Sequence, residues 1–583
     1  MTPTQLLQHF DRLSEAPDAI PRLRRFILDL AVRGKLVEQD LNDEPAAELL
    51  KRIKIEKARL VKEGQGKKEK PLAPIEEEET PFLVPASWIW TRLQDITSYI
   101  QRGKSPIYAS EDGLPVISQK CVQWKGLDIS SARLITRESI KKYDEVRFLR
   151  ENDLLWNSTG TGTIGRVVRV ISPPQNLVCD SHVTVVRCAL ANAEYIRSWL
   201  RSDHIYQLIE DRAAGSTNQV ELTSQMTTFQ VVPLPPLAEQ HRIVAKVDEL
   251  MALCDQLEAA KAEREQSRGR LLAANLHHLN QPAEDEEAFR EHVRFTFNHL
   301  PRITTRPAHI KQMRQTILNL AMCGKLVAQN PNDEPASEFL KRIHAEKVRL
   351  EKEGKTKRDK PVEAVEADTA PFAIPEIWNW ARLGDLTELI TKGSSPKWQG
   401  ITYVSKEDGI LFVTSENVGN YHLRKLDELK YVDKRFNEIE PRSILRYGDI
   451  LMNLVGASIG RTAIYDLSEI ANINQAVALI RLIQSTANME PEFMLHYFNS
   501  PSAIQIMLTS QVITAQPNIS LTNAREFPIP VPPLAEQRRI VAKVNELMTL
   551  CAQLETQLDT TETDSRHLLE AVLHNALSPL ALR

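Results

Sequence analysis

The sequence predicts an α+β protein: two mixed β/α domains separated by long conserved helices, with the whole plan written twice in one chain. Three observations predict it. Residues 27–71, ILDLAVRGKLVEQDLNDEPAAELLKRIKIEKARLVKEGQGKKEKP, recur without a gap at 317–361, ILNLAMCGKLVAQNPNDEPASEFLKRIHAEKVRLEKEGKTKRDKP, so that Gly34 answers Gly324 and Pro71 answers Pro361. A second block, PPLAEQHRIVAKVDELMALCDQLE from Pro235, recurs as PPLAEQRRIVAKVNELMTLCAQLE from Pro532. Between these blocks, residues 86–233 and 376–530 resemble each other only faintly and alternate short β-branched or aromatic runs with Gly, Pro, Asn and Asp turns. The frame is nearly identical and the inserts have diverged.

Bulk composition narrows the class. With 583 residues, 42% apolar and 26% charged, the chain has the make-up of a soluble protein of several domains. No apolar run approaches the roughly 20 residues that span a bilayer, and MTPTQLLQHFDRL reads as an amphipathic start, not a signal core. Cysteines 121, 179, 188, 254, 323 and 551 lie far apart without a CxxC pair, which fits free thiols in the cytoplasm and leaves no metal site. A net charge of −4 gives no global basic excess. The expected boundaries are an N-terminal helical region and linker (1–84), a first insert domain (85–234), a central helical region with linker (235–374), a second insert domain (375–531) and a C-terminal helix (532–583).

The elements follow from local pattern. LLKRIKIEKARLVKEG and FLKRIHAEKVRLEKEG place Leu and Ile at helical spacing, with the basic residues on a solvated face. Glu76–Glu79, where like charges repel, and residues 281–291 (QPAEDEEAFRE) read as linkers. After each Pro-Pro pair comes a helix with a 3.5-residue apolar repeat, the pattern of a coiled-coil seam: Ile243, Val247, Leu250, Cys254 and Leu257, then Ile540, Val544, Leu547, Cys551, Leu554 and Leu558. The two helices are expected to pair as an antiparallel coiled coil. In mid-chain the seam helix (235–279) runs into the second helical block (310–353), whereas at the termini the two blocks are split. Equivalence of the halves then requires the C-terminal helix to return to the N-terminal region, giving a cyclic, pseudo-twofold body.

Both inserts open on a proline-tryptophan signature (Pro85, Trp88, Trp90, Arg92, Leu93; Pro375, Trp378, Trp380, Arg382, Leu383), followed by a Gly-x-Ser-Pro turn at Gly103 and Gly393. LPVISQKCV, VRFLRENDLLWN, RVVRVIS, HVTVVRC and FQVVPL read as strands in the first insert. ILFVTSENV, GDILMNLV, RTAIYD, AVALIRLI and FPIPVP read as strands in the second. One helix is expected before each last strand, around 194–210 and 491–509. Gly160, Gly162 and Gly165 spell G-x-G-x-x-G, but a strand follows where a dinucleotide fingerprint needs a helix, so the segment reads as a turn between strands. No P-loop, HExxH or GxSxG motif is present, and His277 and His278 read as surface or partner contacts.

The paired PPLAEQ-x-RIV-x-KV-x-EL blocks, W-x-W-x-RL entries and GKL helical blocks together resemble the specificity subunits of type I restriction-modification systems, over nearly the whole chain. The resemblance implies that each insert is a target recognition domain reading one half of a bipartite double-stranded DNA site, and that the chain itself is not catalytic. It implies helices that hold the domains apart and bind two modification (methyltransferase) subunits, with restriction (translocase/nuclease) subunits as further partners. S-adenosylmethionine, ATP and Mg would reside on those subunits and no cofactor on this chain. A helix over 237–279 spans roughly 65 Å, enough to set a spacer of about one to two DNA turns.

Base-edge reading needs Arg, Lys, Asn, Gln, Ser or Thr at a groove, which selects polar loop residues. In the first insert these are Arg102, Lys104, Ser105, Ser118, Gln119, Lys120, Asn157, Ser158, Thr159, Thr161 and Thr163. In the second they are Lys392, Ser394, Ser395, Thr414, Ser415, Asn417, Asn453 and Ser458. Each is also a plausible turn-former. The inserts carry about +2 and about −3, so attraction to phosphates must be local or shared with partner subunits. A coiled-coil scaffold whose β domains bind proteins, and a self-sufficient DNA enzyme, are the competing readings. Neighbouring genes for a methylase and a helicase-nuclease favour the specificity subunit over the first. Modification or cleavage of DNA by the chain alone with S-adenosylmethionine or ATP would favour the second.

Overall fold

The duplicated helical block folds as its apolar spacing requires. In the computed structural model, which describes residues 16, 18–64, 69–160, 162–213, 221–280, 286–356, 363–366, 370–484, 489–510 and 518–577, α1 (Ala19–Val32) buries Ile20, Ile27, Leu28, Ala31 and Val32, and α2 (Ala46–Lys62) buries Leu49 and Ile53. The amphipathic start at 1–13 lies outside the described residues. The chain divides into two compact units: residues 1–263 with 562–583, and residues 264–561.

In the first unit the insert supplies β1 (Ile89–Arg92), β2 (Thr97–Arg102), β3 (Leu114–Ile117), β4 (Arg133–Ile135), β5 (Leu154–Asn157), β6 (Val167–Arg169), β7 (Val178–Cys179), β8 (Val183–Cys188), α3 (Ala193–Leu200), α4 (Asp203–Ala213) and β9 (Val231–Leu234). An antiparallel sheet runs β2-β8-β5-β6, a smaller one β4-β3-β7, with β3 and β7 parallel. Period-two alternation gives the larger sheet two apolar faces. Tyr99, Leu155, Val168 and Val185 meet Ile117 and Cys179 of the small sheet. Ile100, Leu154, Trp156 and Val186 meet α1, α3, α4 and the helix α5 (Leu237–Asn280), through its Ile243, Val247 and Cys254. The upper stripe of α5 is thus spent on the core of its own unit, while Leu257 is exposed. The last part of the chain belongs here too: Leu569 packs on Ala16 and Ala19, the return of the C-terminus that a cyclic order of blocks requires.

The second unit repeats this plan. It contains α6 (Glu286–Ile303), α7 (Pro307–Met322), α8 (Ala336–Lys352), β10 (Asn379–Arg382), β11 (Thr387–Lys392), β12 (Tyr403–Val404), β13 (Gly409–Val413), β14 (Lys430–Asp433), β15 (Ile450–Asn453), β16 (Thr462–Ile464), β17 (Ala471–Ile473), β18 (Val477–Leu482), α9 (Pro491–Phe498), α10 (Pro501–Thr509), β19 (Pro528–Val531) and most of α11 (Leu534–Leu577). The sheets run β11-β18-β15-β16 and β12-β14-β13-β17, again with one parallel pair, β13 with β17. Ile540, Val544, Leu547 and Cys551 lie in this unit's core, with Leu554 and Leu558 packed against it. Among the described residues no helix is long and apolar enough to cross a membrane.

The repeated motifs turn out to be parts of one lock. The Glu239 carboxylate accepts the Trp88 indole N–H at 2.9 Å and the Gln39 amide at 2.6 Å. Glu536 does the same for Trp378 (2.9 Å) and Gln329 (2.6 Å). Arg242 and Arg539 pair with Asp43 (2.7 Å) and Asp333 (2.6 Å) of the NDEP segments. Gln240 and Gln537 donate to Pro235 and Pro532, and accept the backbone N–H of Asn192 and Glu490 at the start of the insert helices. Gly34 and Gly324, both at positive φ, let the helix end approach Pro85 and Pro375: an added Cβ would lie 2.5 and 2.3 Å from those rings. β1 pairs with β9 and β10 with β19, so each insert enters and leaves at one place.

Four expectations are corrected. Glu76–Glu79 forms a capped turn whose Glu79 pairs with the buried Arg92 guanidinium at 2.7 Å, one cation offsetting the like-charge repulsion. Residues 286–291 open α6, while 281–285 lie outside the described residues. The single helix expected in each insert is two, because Ser202 and Ser500 start a new turn and Pro501 has no N–H to continue the old one. On α2 and α8 the basic face is partly turned inward: Arg59 and Arg349 bridge glutamates of their own helices, but Lys57 and Lys347 donate to the Gln94 and Gly384 carbonyls.

Burial pushes the Glu239 and Glu536 carboxyls up, with the indole and amide donors pulling the other way. Replacing Glu239 by Ala leaves the buried Trp88 N–H without an acceptor and should cost the first unit about 1–3 kcal/mol. Glu536→Ala should cost the second unit as much, and thermal denaturation with limited proteolysis should show each loss confined to its own unit. His496, buried in α9, is held neutral down to about 4 by desolvation, with Glu492 opposing. Since its folded value lies below the ordinary 6.5, the unfolded chain takes up a proton first as pH falls. The second unit should therefore lose up to about 1.4 kcal/mol per pH unit from that group between its ordinary and folded values. His496→Phe should flatten that slope in unfolding curves.

Candidate nucleic-acid interface

The matched segments DLLWN and DILMN show how each insert builds its loop end. Their first and last residues are four apart on one strand and so point to the same side. At one end Asp153 takes a two-pronged ion pair from Arg187 (2.7 Å), and Asp449 takes one from Arg481 (2.6 Å). At the other end the buried Asn157 side chain donates to the Gln119 carbonyl at 3.0 Å and the Thr163 carbonyl at 3.2 Å. Asn453 donates to the Ser415 carbonyl at 2.9 Å. Each asparagine ties the glycine turn after its strand to the loop after β3 or β13. Gly160, Gly162 and Gly165 all have positive φ between β5 and β6, the inter-strand turn that the following strand predicted.

The turns after β2 and β11 join the same cluster by close approach. A Cβ on Gly103 would sit 2.1 Å from the Asp180 carbonyl, and one on Gly393 1.7 Å from that of Ile473. Burial pushes the Asp180 carboxyl up beneath this turn, against the His182 N–H that it accepts. The three predicted loops of each insert therefore meet at one end of its larger sheet.

Within that cluster the predicted residues divide by exposure. Lys104, Ser105, Lys120 and Lys392 are exposed, and Arg102, Gln119, Thr159, Thr163, Ser394, Ser395, Ser415 and Ser458 are half-buried. Ser118, Asn157, Ser158, Thr414, Asn417 and Asn453 are buried and engaged internally. Ser158 bonds Thr184 at 2.5 Å, Thr414 donates to Asn417 at 2.9 Å, and Ser118 faces the Cys121 sulfur. These six brace the loops from inside. Thr161 lies outside the described residues.

Several neighbours escaped the sequence reading. Arg102 donates to the Ser181 carbonyl at 2.9 Å and pairs with Glu221; Ser105 meets Ser181 at 3.1 Å; Thr159 meets His182 at 2.7 Å. Arg166 links the Gly162 carbonyl to Gln123. Ser181 and His182 were findable from pairing alone: β8 starts opposite Asn157 and Arg102, so the residues just before it must share their edge. Glu221 is brought in by a bridge to Thr159 that no local pattern announces. Among the described residues no group of three or more His, Cys, Asp or Glu could hold a metal ion.

The family description "Type I restriction modification DNA specificity domain" matches residues 85–264 and 375–561. The EcoEI specificity subunit of Escherichia coli is 31% identical over 576 residues, covering 96% of this chain and 94% of its own. The EcoAI specificity subunit of Escherichia coli is 32% identical over 591 residues, with the same coverage, 96% and 94%. A chain of a solved type I restriction-modification assembly, at 21% identity, covers 86% of this chain and 100% of its own with a TM-score of 0.47. The chain belongs to the specificity subunits of type I restriction-modification systems.

Proposed function

We propose that each insert reads one half of a two-part double-stranded DNA site, and that the near-identical frame serves two modification subunits. The carrying observation is the contrast within the chain. Two inserts share the strand order of the larger sheet and one set of internal clamps, Asp153 with Asn157 and Asp449 with Asn453, yet differ in their smaller sheets and in what their loops display. A frame used by two copies of the same partner stays the same, whereas two readers of different half-sites must differ. We assign the DNA contacts to the expected loop residues that are exposed or half-buried: Arg102, Lys104, Ser105, Gln119, Lys120, Thr159 and Thr163 in one insert, Lys392, Ser394, Ser395, Ser415 and Ser458 in the other.

On this reading the chain binds and positions without catalysing. S-adenosylmethionine and adenine chemistry belong to the modification subunits, and ATP, Mg, translocation and cleavage to restriction subunits, in a cytoplasmic complex. The long helices α5 and α11 set the separation of the half-sites.

Exchanging residues 86–233 for the insert of another family member should change one half of the methylated sequence and leave the other, as read by methyladenine sequencing of the host genome. Because β1 and β9 bring the exchange points together, the chimaera should keep its frame. A change in both halves would overturn the two-reader assignment. Lengthening α5 within 237–279 by one or two turns should alter the tolerated spacer and preserve both half-sites. An unchanged spacer would overturn the role given to the helix.

A further inference from the structure

Trp398 is three-quarters exposed, at 75%, although Pro396 on the same turn is buried and Gln399 is half-buried. The turn Pro396–Gln399 follows the Gly-x-Ser-Pro motif of the second insert, with Pro396 buried beneath it. Ile401 anchors its far side in a cluster with Phe412, Val432 and Phe436. Gln399 donates at 3.0 Å to both the Ser394 hydroxyl and the Glu440 carboxylate. Gly393 seats the near side on the Ile473 backbone, and Gly400, at φ 67°, closes the turn. The indole is therefore displayed on a braced turn, and it makes no ring or cation contact among the described residues. Lys392 and Lys397, exposed on either side of the motif, have no carboxylate partner among the described residues. The first insert places Ile107 and Tyr108 after its motif, and there the tyrosine ring is already covered by the Arg133 guanidinium at 3.5 Å.

A large apolar surface held in water by a rigid turn, flanked by free cations, matches a ligand with flat apolar faces between anionic rails. Base pairs between phosphates are that ligand. We propose that Trp398 is the wedge of the second insert: its indole enters a base step of the half-site read by residues 375–531, with Lys392 and Lys397 on flanking phosphates. This rests on the DNA-reading assignment above. Stacking accepts any base, since all have a π face, so the wedge selects through deformability. Pyrimidine–purine steps unstack most readily, and one of them should lie where the indole enters.

The test uses the full chain assembled with its modification subunits, and a duplex carrying the site mapped by methyladenine sequencing. The fluorescent adenine analogue aminopurine is placed at successive positions of each half-site. The wild type should brighten aminopurine at one step of the second half-site. Trp398→Ala should abolish that signal and weaken cognate binding roughly tenfold or more, with Trp398→Phe restoring part of it. Subunit assembly and readout of the other half-site should be unchanged in both variants. Wild-type affinity and an unchanged aminopurine signal in Trp398→Ala would overturn the wedge, as would lost subunit assembly with unaltered DNA binding, which would make the indole a protein contact. If the wild-type complex binds the mapped duplex no better than a scrambled one, the DNA-reading assignment itself falls, and the wedge with it.

Discussion

Everything in each unit hangs on one buried carboxylate. Glu239 and Glu536 stand at the first turn of a long helix and take an indole N–H from the mouth of the insert and an amide from the helical block before it. Three segments remote in sequence thus converge on two oxygen atoms. Removing a carboxylate from water is costly, and these two are tolerated because directed donors and a nearby arginine–aspartate pair surround them. Hydrophobic packing alone is non-directional and would let the insert slide on the frame. The lock supplies the direction.

That division of labour explains which parts of the chain repeat. A residue of the lock answers to several partners at once, so Glu, Gln, Arg, Trp, Gly and the NDEP aspartate recur together. A loop residue beyond β5 or β15 answers to its own turn and the loops beside it, as Thr159 does to His182 and Thr163 to Gln119. The exceptions inside the inserts are the positions with internal partners: the Asp–Arg pair at one end of the central strand and the asparagine clamp at the other. These persist through otherwise diverged sequence, because a lone buried charge or an unheld turn would unmake the domain.

The same logic decides what was legible in the sequence. The two-domain α+β plan, the frame helices, the named insert strands and the inter-strand glycine turn were readable because each rests on local periodicity or a repeated motif. β1, β2, β4, β7, β10, β11, β12, β14 and β17 were not; TSYIQR of β2 carries no clean alternation and Val178–Cys179 of β7 is two residues long, so these two are specified by neighbours across the sheet. The broken insert helices were missed because apolar periodicity continues across Ser202 and Ser500, where the backbone changes course. Choosing loop residues by polarity gathered loops that meet at one end of the larger sheet but mixed two populations, since an asparagine that clamps a turn and one that faces solvent look alike in sequence. Burial separates them: Asn157 and Asn453 are fully covered, Lys120 and Lys392 are not.

The two loop ends differ in how much of their charge is already spent. Arg102 and Lys392 occupy matching places before the Gly-x-Ser-Pro turn, but Arg102 is committed to Ser181 and Glu221. The bridge position filled by Glu221 in the first insert is filled by Asn518 in the second, so no carboxylate stands there to claim Lys392. At this matched position the insert with the more negative net charge therefore has the freer cation, and the insert with a positive balance ties up its arginine while its Lys120 stays exposed. Net charge of a domain is a poor guide to the field at its binding edge, because a charge paired at contact distance contributes little a few ångströms away. What a DNA backbone would meet is set by the few side chains left unpaired, and the loops of the two inserts leave different ones.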